Sequence, residues 1–384
     1  MTKIYFPESL NDVSEIIGDN IISNQKLDVR TNGSLIELGN KMTTDSILSL
    51  KQFNQIISYD PEELVITLGP GVNLSDLKEL LAQNKQELRF EPPDYGPLYG
   101  NKKNTGSIGG IIGSNLSGSK RFLAGGARDY VLGVEGVSGF GQTFKAGGRV
   151  VKNVTGYDVS KLMTGSYGTL GAITKFTLKL SPMSEAECSI TINGLNDTEA
   201  IKLMSKIAMS PIETSGLAHI PQTAASDILQ GGSATVIRVE GTTVSIKERT
   251  DAILKLIEKH PYKNLIMEES RSIWRAICNV APIRPPTNIP LWKICVPPSF
   301  APTLINHHKP DFYYFDWAGG LIWMASYEIP KIENGAFWLI RKPEDDPSAF
   351  PFTNMKDAAT NLIMKRVKNA FDPKKILNPE RLGE

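Results

Sequence analysis

The sequence predicts an α+β chain of two globular units closed by a C-terminal helix, and three observations carry that expectation. Its 384 residues exceed what one ordinary core organises. Strand-length apolar runs alternate with helical ones in both halves. Glycine is distributed very unevenly, with 18 of the 33 lying between Gly100 and Gly171 against about six for an even spread, which marks a region where backbone must approach something closely.

Composition narrows the partners. Hydrophobic residues make up 41% and charged residues 22%, with a formal net charge of +1, so no charge-driven nucleic-acid or membrane-surface binding is encoded. Glu8 and Asp12 interrupt the N-terminus before any apolar run of signal length, and no later stretch approaches about 18 apolar residues, so the reading is a cytoplasmic chain with no transmembrane segment. Cys188, Cys278 and Cys295 are scattered and form no Cys-x-x-Cys pair. They encode neither a disulfide framework nor a zinc or iron–sulfur site, and an iron–sulfur relay would have to come from another chain.

The elements of the first unit follow in order. Leu27-Asp28-Val29-Arg30 reads as a strand running into the turn Thr31-Asn32-Gly33-Ser34, and Glu63 to Leu68 as a second strand stopped by Gly69-Pro70-Gly71. Leu74, Leu77, Leu80 and Leu81 recur at helical spacing with Ser75 and Asp76 as a polar N-terminal end, which predicts a helix over 74–84. From Thr143 the pattern returns to strands, and Thr169 to Leu180 alternates up to Ser181-Pro182, which sets the first domain at 1–182.

Residues 187–269 then give strand (Cys188 to Ile192), helix (Thr198 to Met209), strand (Gly216 to Ile220), strand (Ala234 to Glu240), helix (Val244 to Lys259) and strand (Leu265 to Glu268). This βαββαβ order predicts a ferredoxin-like second domain over 183–345. Leu291 to Val296, Phe312 to Trp317 and Leu321 to Ala325 extend its sheet, the last two pairing across Ala318-Gly319-Gly320. In the tail, 346–384, apolar Ala358, Leu362, Val367 and Phe371 predict a docked helix, followed by a hook through Asp372-Pro373 and Leu377-Asn378-Pro379.

Two glycine-rich segments carry the chemistry. In the first, Asn104 to Gly118, the missing Cβ atoms let backbone N–H groups reach a diphosphate while Thr105, Ser107 and Ser114 add hydroxyls. It is neither a Walker A loop nor a Gly-x-Gly-x-x-Gly fingerprint, and by itself it fits a ligand cradle and a cluster of turns equally well. The second runs from Gly148 to Ile173 and contains Val-Lys-Asn-Val-Thr-Gly-Tyr-Asp, then Lys161-Leu162, then Gly165-Ser-Tyr-Gly-Thr-Leu-Gly171.

This second segment resembles the FAD-binding domains of the vanillyl-alcohol oxidase or p-cresol methylhydroxylase (PCMH) type. Within that superfamily the chain is similar to the family of FAD-binding E subunits of bacterial glycolate oxidase, through Tyr59 to Thr67, Glu91-Pro92-Pro93, Ala127 to Gly133 and Leu377-Asn378-Pro379. The resemblance is dense over 27–182 and thin beyond. It implies a PCMH-type two-part FAD-binding domain, a ferredoxin-like α/β cap domain and a C-terminal helix returning to the FAD domain.

The resemblance also implies a residue set. Asn32, Gly33 and Ser34 contact the pyrophosphate, and Gly106, Ser107, Gly109, Gly110, Ser114, Asn115 and Gly118 complete the cradle. Arg128 and Asp129 border the ribityl or adenine part together with Gly168, Thr169, Gly171 and Ile173, and Pro93 packs near the isoalloxazine. Covalent members attach flavin through a first-loop His where this chain has Thr31 and Asn32, so the FAD is expected to be non-covalent.

Oxidation of a 2-hydroxy acid requires a base near the hydroxyl and a cation for the carboxylate. Lys152 and Tyr157, with Arg149 beside them, are the catalytic candidates, each balanced against an ordinary packing or surface role. Related D-2-hydroxyacid dehydrogenases carry paired cap histidines in a His-Gly-Asp-x-Asn-x-His pattern that this chain lacks. His219 and His260 read as structural, His307-His308-Lys309 as solvated surface, no metal site is assigned, and the aromatics Phe312 to Trp317, Trp323 and Trp338 read as core.

The function so implied is the FAD-binding subunit of a glycolate oxidase complex that oxidises glycolate to glyoxylate. Its partners would be an FAD-containing catalytic D-type subunit and an iron–sulfur F-type subunit, and membrane association would be peripheral and through the complex. A self-sufficient FAD-dependent D-2-hydroxyacid dehydrogenase and a non-catalytic, flavin-retaining structural subunit are the alternatives.

Overall fold

The computed structural model describes residues 2–148, 157–224, 232–257, 260–283, 285–343, 350–355 and 357–383. The chain forms two units: one from Met1–Ser117, Gly126–Met183 and Lys356–Glu384, the other from Gly118–Gly125 and Ser184–Met355.

The first unit opens with β1 (Lys3–Tyr5), α1 (Leu10–Ser23), β2 (Leu27–Arg30) and β3 (Ser46–Ser49). The three strands are parallel, in the order β1-β3-β2. Ser9 and Asp12 form a reciprocal cap on α1. The helix lays Val13 and Ile17 on Leu27, Leu48 and Leu50 in a buried cluster that also takes Ile376 and Leu377 from the chain end. The chain continues through β4 (Ile56–Asp60), β5 (Val65–Leu68), α2 (Leu74–Gln83), β6 (Gln86–Glu87), α3 (Ile108–Ser114) and α4 (Arg121–Ala124), the last within the second unit. It completes the first unit's sheets with β7 (Val131–Ser138), β8 (Thr143–Gly147), α5 (Val159–Met163), β9 (Gly171–Lys179) and β10 (Ser181–Pro182). The main sheet has the order β4-β5-β9-β7-β8 and is antiparallel throughout. Helix α2 is capped by Asn73, whose side chain accepts from the N–H of Ser75 and Asp76; the cap lies two residues before the Ser75-Asp76 pair expected as the polar N-terminal end.

The second unit holds β11 (Ala186–Asn193), α6 (Asp197–Ala208), β12 (Gly216–Ile220), β13 (Ala234–Gly241), α7 (Thr243–Ile257) and β14 (Tyr262–Leu265). Their sheet order β14-β11-β13-β12 is the ferredoxin-like arrangement the βαββαβ pattern predicts. The expected strand over 265–268 is corrected: β14 ends at Leu265, and α8 (Met267–Cys278) begins two residues later. Ile273, Trp274 and Ile277 fall on one face of α8 and are buried, so a 3.6-residue period overrides the short apolar run before it. Then come β15 (Leu291–Cys295), α9 (Ala301–His308), β16 (Phe312–Asp316), β17 (Leu321–Ala325) and β18 (Ala336–Arg341), which add β16-β17-β15-β18 to the β12 edge. Tyr314, Phe315 and Trp323 are buried in it. The surface reading of His308 is corrected as well, because its ring is buried with Nδ1 3.1 Å from a Glu328 carboxylate oxygen.

Residues 118–125 depart from the 1–182 grouping by packing in the second unit. Lys120 Nζ lies 2.7 Å from Glu240 in a buried pair, and the Ser119 hydroxyl donates to Asp316 at 2.7 Å. Both partners lie more than a hundred residues away, so no local pattern announces them. The final helix α10 (Ala358–Phe371) returns to the first unit. Its expected apolar face is only partly used: Leu362 is 51% exposed, while Lys368 is 2% exposed.

Candidate cofactor site

The site grows out of the end of β2. Thr31 to Leu35 leave the sheet in a turn with Gly33 at φ 76°, and among the described residues the N–H groups of Gly33, Ser34 and Leu35 meet no acceptor within the protein. Successive backbone donors aimed at one space form a nest suited to an anion. Opposite them the glycine-rich segment is a short helix rather than an open loop. Ser107 caps α3 by accepting from Gly110 N–H, while Ile108 N–H and Gly109 N–H donate to the carbonyls of Val72 and Pro70. The donors expected from Gly109 and Gly110 are therefore consumed in positioning the helix. A Cβ on Gly109 would lie 2.7 Å from the Pro70 carbonyl oxygen, which is why this approach requires glycine.

Between these elements lies a cleft open to solvent, with about 810 Å³ of empty space counted out to its mouth. Its walls include Gly33, Ser34, Gly109, Gly110, Ser114, Gly168, Gly171 and Ile173 of the expected set. Asn32, Pro93, Gly106, Ser107, Asn115, Arg128, Asp129 and Thr169 lie in the same unit but not in the walls, and Gly118 belongs to the other unit. Several of these act one step back. Asn115 accepts from Arg128 N–H at 3.1 Å, Asp129 accepts from Gly126 N–H at 2.8 Å, and the Ser107 hydroxyl is hydrogen-bonded to that of Thr31. Lys152 and Arg149 lie outside the described residues, and Tyr157 is 95% exposed and away from the cavity walls.

The walls also contain residues the sequence reading did not single out: Asp28, Arg30, Tyr167, Asn378 and Arg381. Arg30 and Arg381 against Asp28 leave a net positive charge among the ionised groups of the walls. Burial raises the pKa of Asp28 despite Arg30 and Arg381, and burial lowers that of Arg381. Asp28 Oδ1 and Arg381 Nε are buried with no hydrogen-bond partner. Burial also pushes the Tyr167 phenol up to about 12, so it stays protonated as a donor. A nest of N–H groups, a cationic balance and unsatisfied buried polar atoms fit a dinucleotide diphosphate. The only sequence signal for Asn378 and Arg381 was the terminal Leu-Asn-Pro motif, which says nothing of what lies opposite it.

The second unit carries a second chemical feature. Lys293, in the otherwise apolar run of β15, is 7% exposed, and burial and the Arg121 cation pull its pKa down to about 8 against the pull of Cys295 and Asp316. Its Nζ lies 5.1 Å from the centre of the Trp317 ring, and the Arg121 guanidinium lies 5.2 Å from the same ring. A lone Lys in an apolar strand was the available signal for it.

Comparison with known proteins agrees with this geometry. Residues 2–147 match the FAD binding domain family, and residues 352–382 match the C-terminal domain of FAD linked oxidases. The chain is 29% identical to glycolate oxidase subunit GlcE of Escherichia coli (strain K12), over 98% of this chain and 97% of that protein. It is 32% identical to glycolate oxidase subunit GlcD of Bacillus subtilis (strain 168) over 56% of this chain, and spans only 44% of that longer relative. Against a D-lactate dehydrogenase of Anaerostipes hadrus the identity is 32%, over 47% of this chain and 36% of that protein. Among solved structures, p-cresol methylhydroxylase with substrate bound superposes with a TM-score of 0.72 at 13% identity, covering 99% of this chain and 88% of that one.

Proposed function

For a chain that is an FAD-dependent oxidoreductase of the p-cresol methylhydroxylase fold, we propose the role of the FAD-binding subunit in a complex that oxidises glycolate, a small 2-hydroxy acid, to glyoxylate. The observation that carries this reading is the near end-to-end correspondence with an E-type glycolate oxidase subunit, where relatives of the D type match only in part. Bound flavin supplies the two-electron acceptor for the α-carbon hydride. The chain's own share is to hold that group: Gly33, Ser34 and Leu35 offer backbone donors, Gly109 and Gly110 the close wall, and Gly168, Gly171 and Ile173 the opposite rim. Cys188, Cys278 and Cys295 form no disulfide and lack the spacing of an iron–sulfur motif, so an iron–sulfur F-type subunit would carry electrons onward, with a D-type FAD subunit beside it. Such an assembly would hold this chain in the cytoplasm, and any membrane association would be peripheral.

A second reading, the self-sufficient 2-hydroxyacid dehydrogenase, is supported by the 32% identity to a D-lactate dehydrogenase over 47% of this chain. One experiment separates the two. The tagged chain is purified alone and with co-purifying partners, and each preparation is given glycolate with an artificial electron acceptor. Turnover only with partners supports the subunit role, turnover by the isolated chain establishes the second reading, and a flavin-free complex of full activity would sink both.

A further inference from the structure

The last residues of the chain run beside β2, the strand that delivers the diphosphate turn. Leu27 N–H donates to the Ile376 carbonyl at 2.7 Å, and Asn378 N–H donates to the Leu27 carbonyl at 2.9 Å. The Asn378 side chain continues the pairing as a strand would: its Oδ1 accepts from Val29 N–H at 2.6 Å, and its Nδ2 donates to the Val29 carbonyl at 3.1 Å. The same Nδ2 donates at 2.7 Å to the carbonyl of Tyr167, in the opposite glycine-bearing loop. There is no slack there, since a Cβ on Gly168 would come within 2.7 Å of Nδ2. One side-chain amide therefore bridges the turn on one side of the cavity and the loop on the other.

Three residues later Arg381 binds the turn itself. Its Nη2 donates to the Leu35 carbonyl at 3.1 Å, its carbonyl accepts from Asn40 N–H at 2.9 Å, and its buried Nε has no partner. Ile376 and Leu377 anchor this hook in the core under β2.

We propose that the hook Ile376–Arg381 is a wall of the dinucleotide site, in which Asn378 sets the separation of the two loops and Arg381 supplies the buried cation that balances the diphosphate. Occupancy of the site and docking of the hook then form one linked equilibrium: the diphosphate gives the buried guanidinium, whose Nε has no partner, a further counter-charge beside Asp28, and the docked hook keeps the loops at the spacing the ligand needs. Asn378 is a positioning residue, acting through Val29 and Tyr167. This inference rests on FAD as the ligand but not on glycolate as the substrate, so its test uses no substrate.

The test measures FAD affinity of the deflavinated full-length chain by quenching of flavin fluorescence, for the parent, Asn378→Asp, Arg381→Met and Arg381→Lys. Asn378→Asp keeps the shape but replaces both donated hydrogen bonds by charge repulsion against two carbonyls. Weakening of FAD binding by about tenfold or more is expected for it and for Arg381→Met, with partial recovery in Arg381→Lys, while far-ultraviolet circular dichroism is unchanged. FAD affinity within twofold of the parent in both Asn378→Asp and Arg381→Met overturns the proposal. Should a variant fail to fold, amide hydrogen exchange on the unaltered protein decides: FAD slows exchange at Leu377, Asn378 and Arg381 if docking and occupancy are linked, and equal exchange with and without FAD refutes the linkage.

Discussion

Lys368 Nζ donates to the carbonyl oxygen of Thr169 at 2.6 Å, so a lysine buried in the C-terminal helix holds the loop whose Gly168 and Gly171 line the cavity. The same ammonium donates to Asp372 and to the Leu377 carbonyl, each at 2.8 Å, while Asp372 accepts from the N–H groups of Ile376 and Leu377. With its donors used on these partners, the charge is tolerated at this depth.

Replacing Lys368 by Met leaves Asp372 buried without its counter-ion. The expected loss is about 3–5 kcal/mol of stability. It should appear as a lower urea midpoint at an unchanged denaturant slope, and a midpoint equal to that of the parent would contradict the clamp.

Gly113 lines the cavity, and a Cβ built there meets nothing of the protein within 4 Å. A large side chain at this position occupies ligand space without displacing the fold. Gly113→Leu should therefore yield a folded protein whose FAD affinity is at least about tenfold weaker. Gly109→Ala, whose added methyl runs into Pro70, should instead lower the melting temperature of the flavin-free chain. The paired measurement, flavin content against melting temperature, checks that the two glycines serve different ends.

Glu240 makes stability pH-dependent on the acid side. Burial acts to raise its pKa, but Arg238 and Lys120 outweigh burial and hold it at about 2. A carboxylate whose folded value lies below its unfolded one stabilises fully above about 4.5, and that contribution is lost as pH falls through 4.5 toward 2. Urea midpoints across pH 2–6 should fall more steeply in the parent than in Glu240→Gln. Parallel curves would remove Glu240 from the account.

Lys293 acts on the alkaline side with the opposite ionisation. Its amine is held at about 8, below its ordinary 10.5, so the unfolded chain binds more protons between those values and stability rises with pH across that window. Below pH 8 the cost of burying the ammonium is present in full. Lys293→Met should remove the rise and stabilise the chain at pH 7 by roughly 1–3 kcal/mol, as apolar replacements of buried charges do. Denaturation at pH 7 and pH 10 for both proteins checks the sign.

Much of the fold was legible because its signals are local. Gly216–Ile220 and Leu321–Ala325 are strands with the bounds their apolar runs predict, and the βαββαβ order became the ferredoxin-like sheet. The strand expected at 265–268 failed because a run of three apolar residues, Leu265-Ile266-Met267, has no period of its own, while Ile273, Trp274 and Ile277 bury a helical face beyond it. The cavity was half legible. Glycine marked where backbone comes close, yet it could not show that Gly109 spends its N–H on Pro70 whereas Gly33 and Ser34 keep theirs.

The sequence by itself determined the type of chain: α+β, glycine-dense between residues 100 and 171, bearing an FAD-family segment, and without the cysteines of an iron–sulfur relay. Local periodicity and residue chemistry suffice for those conclusions, because each depends on neighbours a few positions apart. Only the tertiary structure decided that Asn378 and Arg381 line the same cavity as Gly33 and Gly168, that Lys368 is buried, and that Lys120 pairs with Glu240. Each joins groups separated by tens to hundreds of residues, or depends on burial. A polar side chain signals its own chemistry in sequence, but whether it is solvated or buried depends on what the rest of the chain brings against it.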